Sequence, residues 1–367
     1  MVINKRKLVF WILGLILAPV LLVFLLGVAL YIPAFQRWSV SIIEEKASNA
    51  LNKSVHIGRL SLTYPLNLSL GDVSVLNAPR DTMMSVDRLE LGLSPMALLD
   101  NLAVVPSLGL EGVQYNQVDT LKQTTIHFRL KQGELKQAVL AWKKEKVSAS
   151  SLVADGLMVY YHSSDTTKSE SEPLSWTIDL SNACLKNSRF DIGLPLDSLL
   201  TQAAIPYLAT TNLGIDLGKQ TYRLRSGKLK DASLLYHKGG ETKLLSGLIN
   251  PNHIEFKHTS FDLEQVLSQG SDLELSLRGF TAQERSGFNV KQLSLICQMD
   301  SLNLKLADLS LRTDYSSLKG HIKVPFSMFK GDSTVFAELG LDADLSLKDA
   351  LTLSGEALAP EYRATIS

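Results

Sequence analysis

The sequence predicts a mainly β protein: an N-terminal transmembrane helix, then an elongated, repetitive antiparallel β-groove with a few short helices. Three observations carry this expectation. They are an uncharged apolar run near the N-terminus, a two-residue alternation of apolar side chains from Leu60 onward, and a recurrent one-residue slip in that alternation.

Between Leu8 and Gln36 there is no charged residue, and Leu8 to Ile32 would span roughly 37 Å as a helix, against ~30 Å of hydrocarbon. Lys5, Arg6 and Lys7 precede the run while Glu44 and Glu45 follow it, so the N-terminus is expected in the cytoplasm and the body beyond the membrane. A cleaved signal peptide could use Gly27, Val28 and Ala29, but the run continues through Tyr31 and Ile32, past a usual signal core. Residues 1–36 are therefore expected to be a cytoplasmic tip and anchor. Residues 37–54 form the next unit, an amphipathic helix presenting Trp38, Ile42, Ile43, Ala47, Ala50 and Leu51 on one face.

Residues 55–367 make the expected groove body. Leu60, Leu62, Tyr64, Leu66, Leu68 and Leu70 alternate with wettable residues, then the parity slips at Gly71 and Asp72 and resumes at Val73. The slip recurs at Glu111 and Gly112, Asp155 and Gly156, Lys230 and Asp231, Ala307 and Asp308, and Lys348 and Asp349. Uneven spacing makes this a degenerate array in which each unit packs on its neighbours. Helical interruptions are expected at Ser94 to Leu102 and Leu196 to Leu208, and the polar tract from His162 to Pro173 reads as a loop.

Lys+Arg and Asp+Glu balance at 37 each, so no basic field points to nucleic acid. The two cysteines, Cys184 and Cys297, fit either one long-range disulfide or two buried thiols. His253 and His258, five apart in a strand, are expected on opposite faces and not around a shared metal. Nucleophile elbows, phosphate-binding glycine loops and a redox cysteine pair are missing from the sequence, so no enzyme, metal or cofactor is expected. The candidate functional residues are instead an apolar stripe: Leu60, Leu62, Leu66, Leu68, Leu70, Leu273, Leu275, Leu277, Leu302, Leu304 and Leu306. Such a stripe suits a closed sandwich core or an open groove. Its uniform leucine content and the 7% aromatic content favour a groove for a fluid ligand.

With its N-terminal anchor and amphipathic helix, and with Val55-His56-Ile57-Gly58-Arg59-Leu60-Ser61-Leu62 running into Leu68-Ser69-Leu70-Gly71-Asp72-Val73-Ser74-Val75, the chain resembles the AsmA-like family, in its TamB-type, Bacteroidetes-like form. The resemblance implies a single-pass inner-membrane protein. Its periplasmic β-groove would carry phospholipid acyl chains toward the outer membrane in outer-membrane biogenesis. Family members are longer and engage an outer-membrane assembly protein through a C-terminal domain, so this chain, ending at Thr365, Ile366 and Ser367, reads as an N-terminal portion. A second reading is an assembly factor that acts on secreted or outer-membrane β-proteins through exposed strand edges.

Overall fold

The computed structural model describes residues 33–63, 67–77, 81–92, 103–120, 123–141, 144–164, 175–194, 199–239, 247–330 and 335–354. The expected anchor at 8–32 and the expected helix at 94–102 lie outside them. Among the described residues no helix is long and apolar enough to cross a membrane.

Helix α1 (Pro33–Leu51) leads into β1 (Ser54–Thr63), β2 (Asn67–Asn77), β3 (Asp81–Gly92), β4 (Ala103–Asp119), β5 (Thr124–Ala141), β6 (Lys146–Asp155), β7 (Met158–Ser163) and β8 (Thr177–Leu194). There follow β9 (Leu199–Asp216), β10 (Thr221–Lys238), β11 (His253–Gln269), β12 (Asp272–Glu284), β13 (Asn289–Met299), β14 (Asn303–Thr313), β15 (Ser317–Pro325), β16 (Glu338–Asp344) and helix α2 (Leu347–Ser354). All sixteen strands form one sheet in sequence order, with β7 off the path and paired to β5 and β8. Apart from α1 on β1, substantial packing among the described residues runs only between strands adjacent in the sheet and at a short 3-10 turn after β15. The β body is a single layer.

The sheet is mixed and not wholly antiparallel. β6 and β7 meet β5 in one continuous antiparallel register, Ala141 to Lys146 through Thr124 to Ser163, and are one long ribbon interrupted at Gly156 and Leu157. That ribbon pairs with β8 in parallel, Lys146 with Thr177 and His162 with Gly193. Of the polar tract expected as a loop from His162 to Pro173, His162 and Ser163 belong to β7 and residues 165–173 lie outside the described residues; Ser164 bonds back to Gln123 at one end of the ribbon, and Thr177 to Glu145 at the other.

Two further expectations are corrected. Leu199 to Leu208 is not helical but part of β9, bonded on both sides by β8 and β10; neighbours on each edge outweigh a short helical spacing of Leu199, Leu200, Ala203 and Ala204. Lys348 and Asp349 are not a strand slip but belong to α2, where the buried Asp349 accepts a hydrogen bond from the Thr313 hydroxyl.

α1 starts at Pro33, and its packed face is narrower than its pattern implies: Val40, Ile43 and Ala47 rest on Val55, Ile57 and Val75, while Trp38 and Leu51 are exposed. Glu44 faces the sheet too. Its carboxylate accepts the Ile57 N–H at 2.6 Å, and Ser48 Oγ accepts the Val55 N–H at 2.9 Å.

Candidate functional site: an apolar trough

Directly opposed residues in a sheet share a face, so the pairing registers trace which side chains line up across the strands. One row runs Leu60, Leu70, Leu89, Leu110, Gly133, Ala154, Leu185, Leu208, Leu229 and Phe261. The next runs Leu68, Leu91, Leu108, Leu135, Leu152, Ala183, Thr210, Gly227, Leu263, Leu277 and Leu295. Both lie on the face that α1 covers at its β1 end, and further strands continue it through Leu275, Cys297, Leu306, Ile322 and Leu339. The fifteen ribbon positions make this face on the order of 70 Å long.

The parity slips also line up. Asp72 on β2, Gly112 on β4, Gly156 between β6 and β7, Asn187 on β8, Asp231 on β10, His258 on β11, Gly279 on β12 and Asp308 on β14 all have left-handed φ, between 48 and 67°. Asp, Asn, His and Gly are the residues that enter this region at least cost. At each slip two successive side chains turn away from the leucine face, as Lys230 and Asp231 do between the buried Leu229 and Ala232. The slips form one transverse crease, and a Cβ at Gly112 would collide with the Asp87 carboxylate across it. Five slips expected from the alternation, at residues 72, 112, 156, 231 and 308, fall on this line.

The longer middle strands carry a second crease, with left-handed φ at Gln137 on β5, Asn212 on β9 and Gln265 on β11. Between the creases lies a floor, and beyond them the strand halves form walls. Small or branched residues beside the first crease are among the most deeply buried: Ile57, Val86, Val113, Ala232, Thr259 and Ala282 are 0 to 5% exposed. The leucine face is therefore the more deeply buried side of the sheet.

Of the expected stripe, Leu60, Leu68, Leu70, Leu273, Leu275, Leu277, Leu304 and Leu306 lie half-buried on this inner face. Leu302 does not: it is 70% exposed in the turn before β14, outside the alternation. The Leu62 side chain and Leu66 lie outside the described residues. Thr210 and Thr259 place buried hydroxyls without partners among the lining, an exception to its apolar character.

The outer face is polar. Arg59 pairs with Asp72 at 2.9 Å, Asn187 donates to Asp155 at 2.9 Å, and His258 meets Asp231 at 2.8 Å along the crease. These exposed pairs add solubility more than stability. His253 lies on this face as well, lining an outer cavity of about 850 Å³ with Arg129, Tyr160, Arg189 and Asp191. The slip at Lys257 and His258 thus brings His253 and His258 to the same face, against expectation, yet with different partners: His253 Nδ1 stands 3.1 Å from His237 Nδ1. Burial pushes the His253 pKa down, and His237 and Arg285 push it further.

Cys184 on β8 and Cys297 on β13 are free thiols. They stand five strand spacings apart, about 24 Å, which no disulfide bridges; burial pushes the Cys297 thiol up. A scan of protein-family models gives no match to the chain, and neither does a search of curated proteins.

Proposed function

We propose that the chain is a membrane-anchored periplasmic conduit that shelters phospholipid acyl chains in its trough on their way between inner and outer membrane, as its AsmA-like resemblance implies. The observation that carries this reading is a largely apolar, leucine-rich inner face over which, among the described residues, no second sheet packs. Acyl chains need no directional partner. Each methylene moved from water onto such a lining gains about 0.8 kcal/mol, wherever along the trough it rests. Rows that run across the strands give successive, mostly apolar positions, so a chain can shift along them while keeping apolar contact.

The test is photo-crosslinking of the full-length chain in membranes, with benzoylphenylalanine at Leu70 or Leu277 inside and at Gln132 outside. Phospholipid adducts are expected at the two inner positions and not at the outer one, and Leu68→Asp or Leu304→Asp should deplete them. Equal labelling of both faces, or none inside, would overturn the reading.

A further inference from the structure

The outer cavity of about 850 Å³ is large enough for a small organic ligand, and its charges are not balanced. Arg129 on β5 and Arg189 on β8 both stand opposite Met158 on β7, one on each side, so the two arginines share a face and flank one row of the cavity. Two strand spacings, about 10 Å, separate them at the backbone, which lets both guanidinium groups reach a single group placed over Met158.

The carboxylates that line the same cavity are already engaged. His162 Nε2 stands 2.7 Å from one Asp191 oxygen and Gln202 Nε2 donates to the other at 3.0 Å, while Lys257 Nζ lies 3.2 Å from Glu255. Burial, then His237 and Arg285, hold His253 toward its neutral form. Among the described residues Arg129 and Arg189 have neither a hydrogen bond nor an ion pair, whereas Arg59, Arg88, Arg223 and Arg278 on the same outer face each meet a carboxylate. Tyr160, on the neighbouring row of β7, adds a hydroxyl donor, its ring held parallel to His162 at a centroid separation of 4.2 Å.

Two uncommitted guanidinium groups and a phenol suit a dianion with several acceptor oxygens. A phosphate monoester carries about −1.5 to −2 charges at pH 7, and arginine grips it through paired N–H groups; a lone carboxylate brings half that charge. We propose that Arg129, Arg189 and Tyr160 form a binding site for a phosphate monoester on the outer face. The site is separate from the leucine face and does not depend on what that face carries.

The test is isothermal titration of the detergent-solubilised full chain with inorganic phosphate, glycerol 3-phosphate, dihexanoyl phosphatidic acid and acetate at constant ionic strength. Saturable binding is expected for the three phosphates and not for acetate. Arg129→Gln or Arg189→Gln should each weaken it about tenfold, the size of one charge-assisted contact. Tyr160→Phe should weaken it less, and Arg312→Gln, at an exposed arginine outside the cavity, should leave it unchanged. Equal affinity for the two esters assigns the site to a soluble phosphate ester, and tighter binding of the phosphatidic acid assigns it to a lipid headgroup. Circular dichroism guards the variants against misfolding, and inner-face crosslinks at Leu70 and Leu277, expected unchanged in the double variant, keep the result apart from the conduit reading. No saturable phosphate binding, equal binding of acetate, or full binding by the Arg129→Gln, Arg189→Gln double variant overturns the proposal. Binding that appears only after Glu170→Gln and Glu172→Gln does so too, because it assigns the two arginines to carboxylates of this chain.

Discussion

Leu130 fills the space in which a side chain at Gly133 would stand: a Cβ there would come within 2.7 Å of Leu130 Cδ2. The wall leucine therefore leans over a floor glycine, and the bend at the crease closes because that glycine is bare. The same arrangement recurs where a Cβ at Gly227 would approach Leu224 Cδ2 to 3.0 Å.

Gly133→Val should accordingly force the wall outward and cost about 1 to 3 kcal/mol, as overpacking does. Urea unfolding checks this, and a double variant with Leu130→Ala should recover part of the loss. A loss that Leu130→Ala does not relieve would place the strain elsewhere.

Asp231 holds a left-handed φ of 53° at the crease, with its carboxylate on His258. Asp231→Val should destabilise by about 1 to 2 kcal/mol, because a β-branched residue is strained there, whereas Asp231→Gly should be much milder. Comparing the two unfolding midpoints separates backbone strain from loss of the exposed hydrogen bond to His258, which both variants share.

The His253 pKa is lowered in the fold, first by burial and then by His237 and Arg285. A base that resists protonation only when folded leaves the unfolded chain binding more protons, so stability falls as pH drops below the ordinary histidine value near 6.5, down to the depressed folded value. Thermal unfolding between pH 7.5 and 5 should show this decline, and His253→Gln should flatten it. An unchanged slope in the variant would shift the effect to another group.

Much of this architecture is legible in sequence because side-chain alternation and its interruption are local signals. Asp72, Gly112 and Asp308 announce the first crease by breaking an otherwise regular leucine alternation with residues that accept positive φ. The second crease left the same trace, apolar residues three apart at Leu135 and Ala138, but serines and lysines around it blur the pattern. Leu199 to Leu208 misleads for a related reason. It combines the slip at Pro206 and Tyr207 with neighbouring alanines, which mimics helical spacing. Leu302 looked like part of the stripe because alternation does not reveal where a strand begins. The parallel seam depends on which strands meet across the sheet, and no local pattern encodes that.

The seam between the β6 and β7 ribbon and β8 has a kinetic meaning. Every other step along the sheet pairs strands that follow one another in sequence, and such hairpin pairings zip from the connection outward. Residues up to Ser163 and residues from Thr177 onward can thus zip into two separate ladders as the chain emerges. Their union waits on one long-range event, the alignment of Lys146 with Thr177, and until then each ladder shows the solvent an incomplete flank.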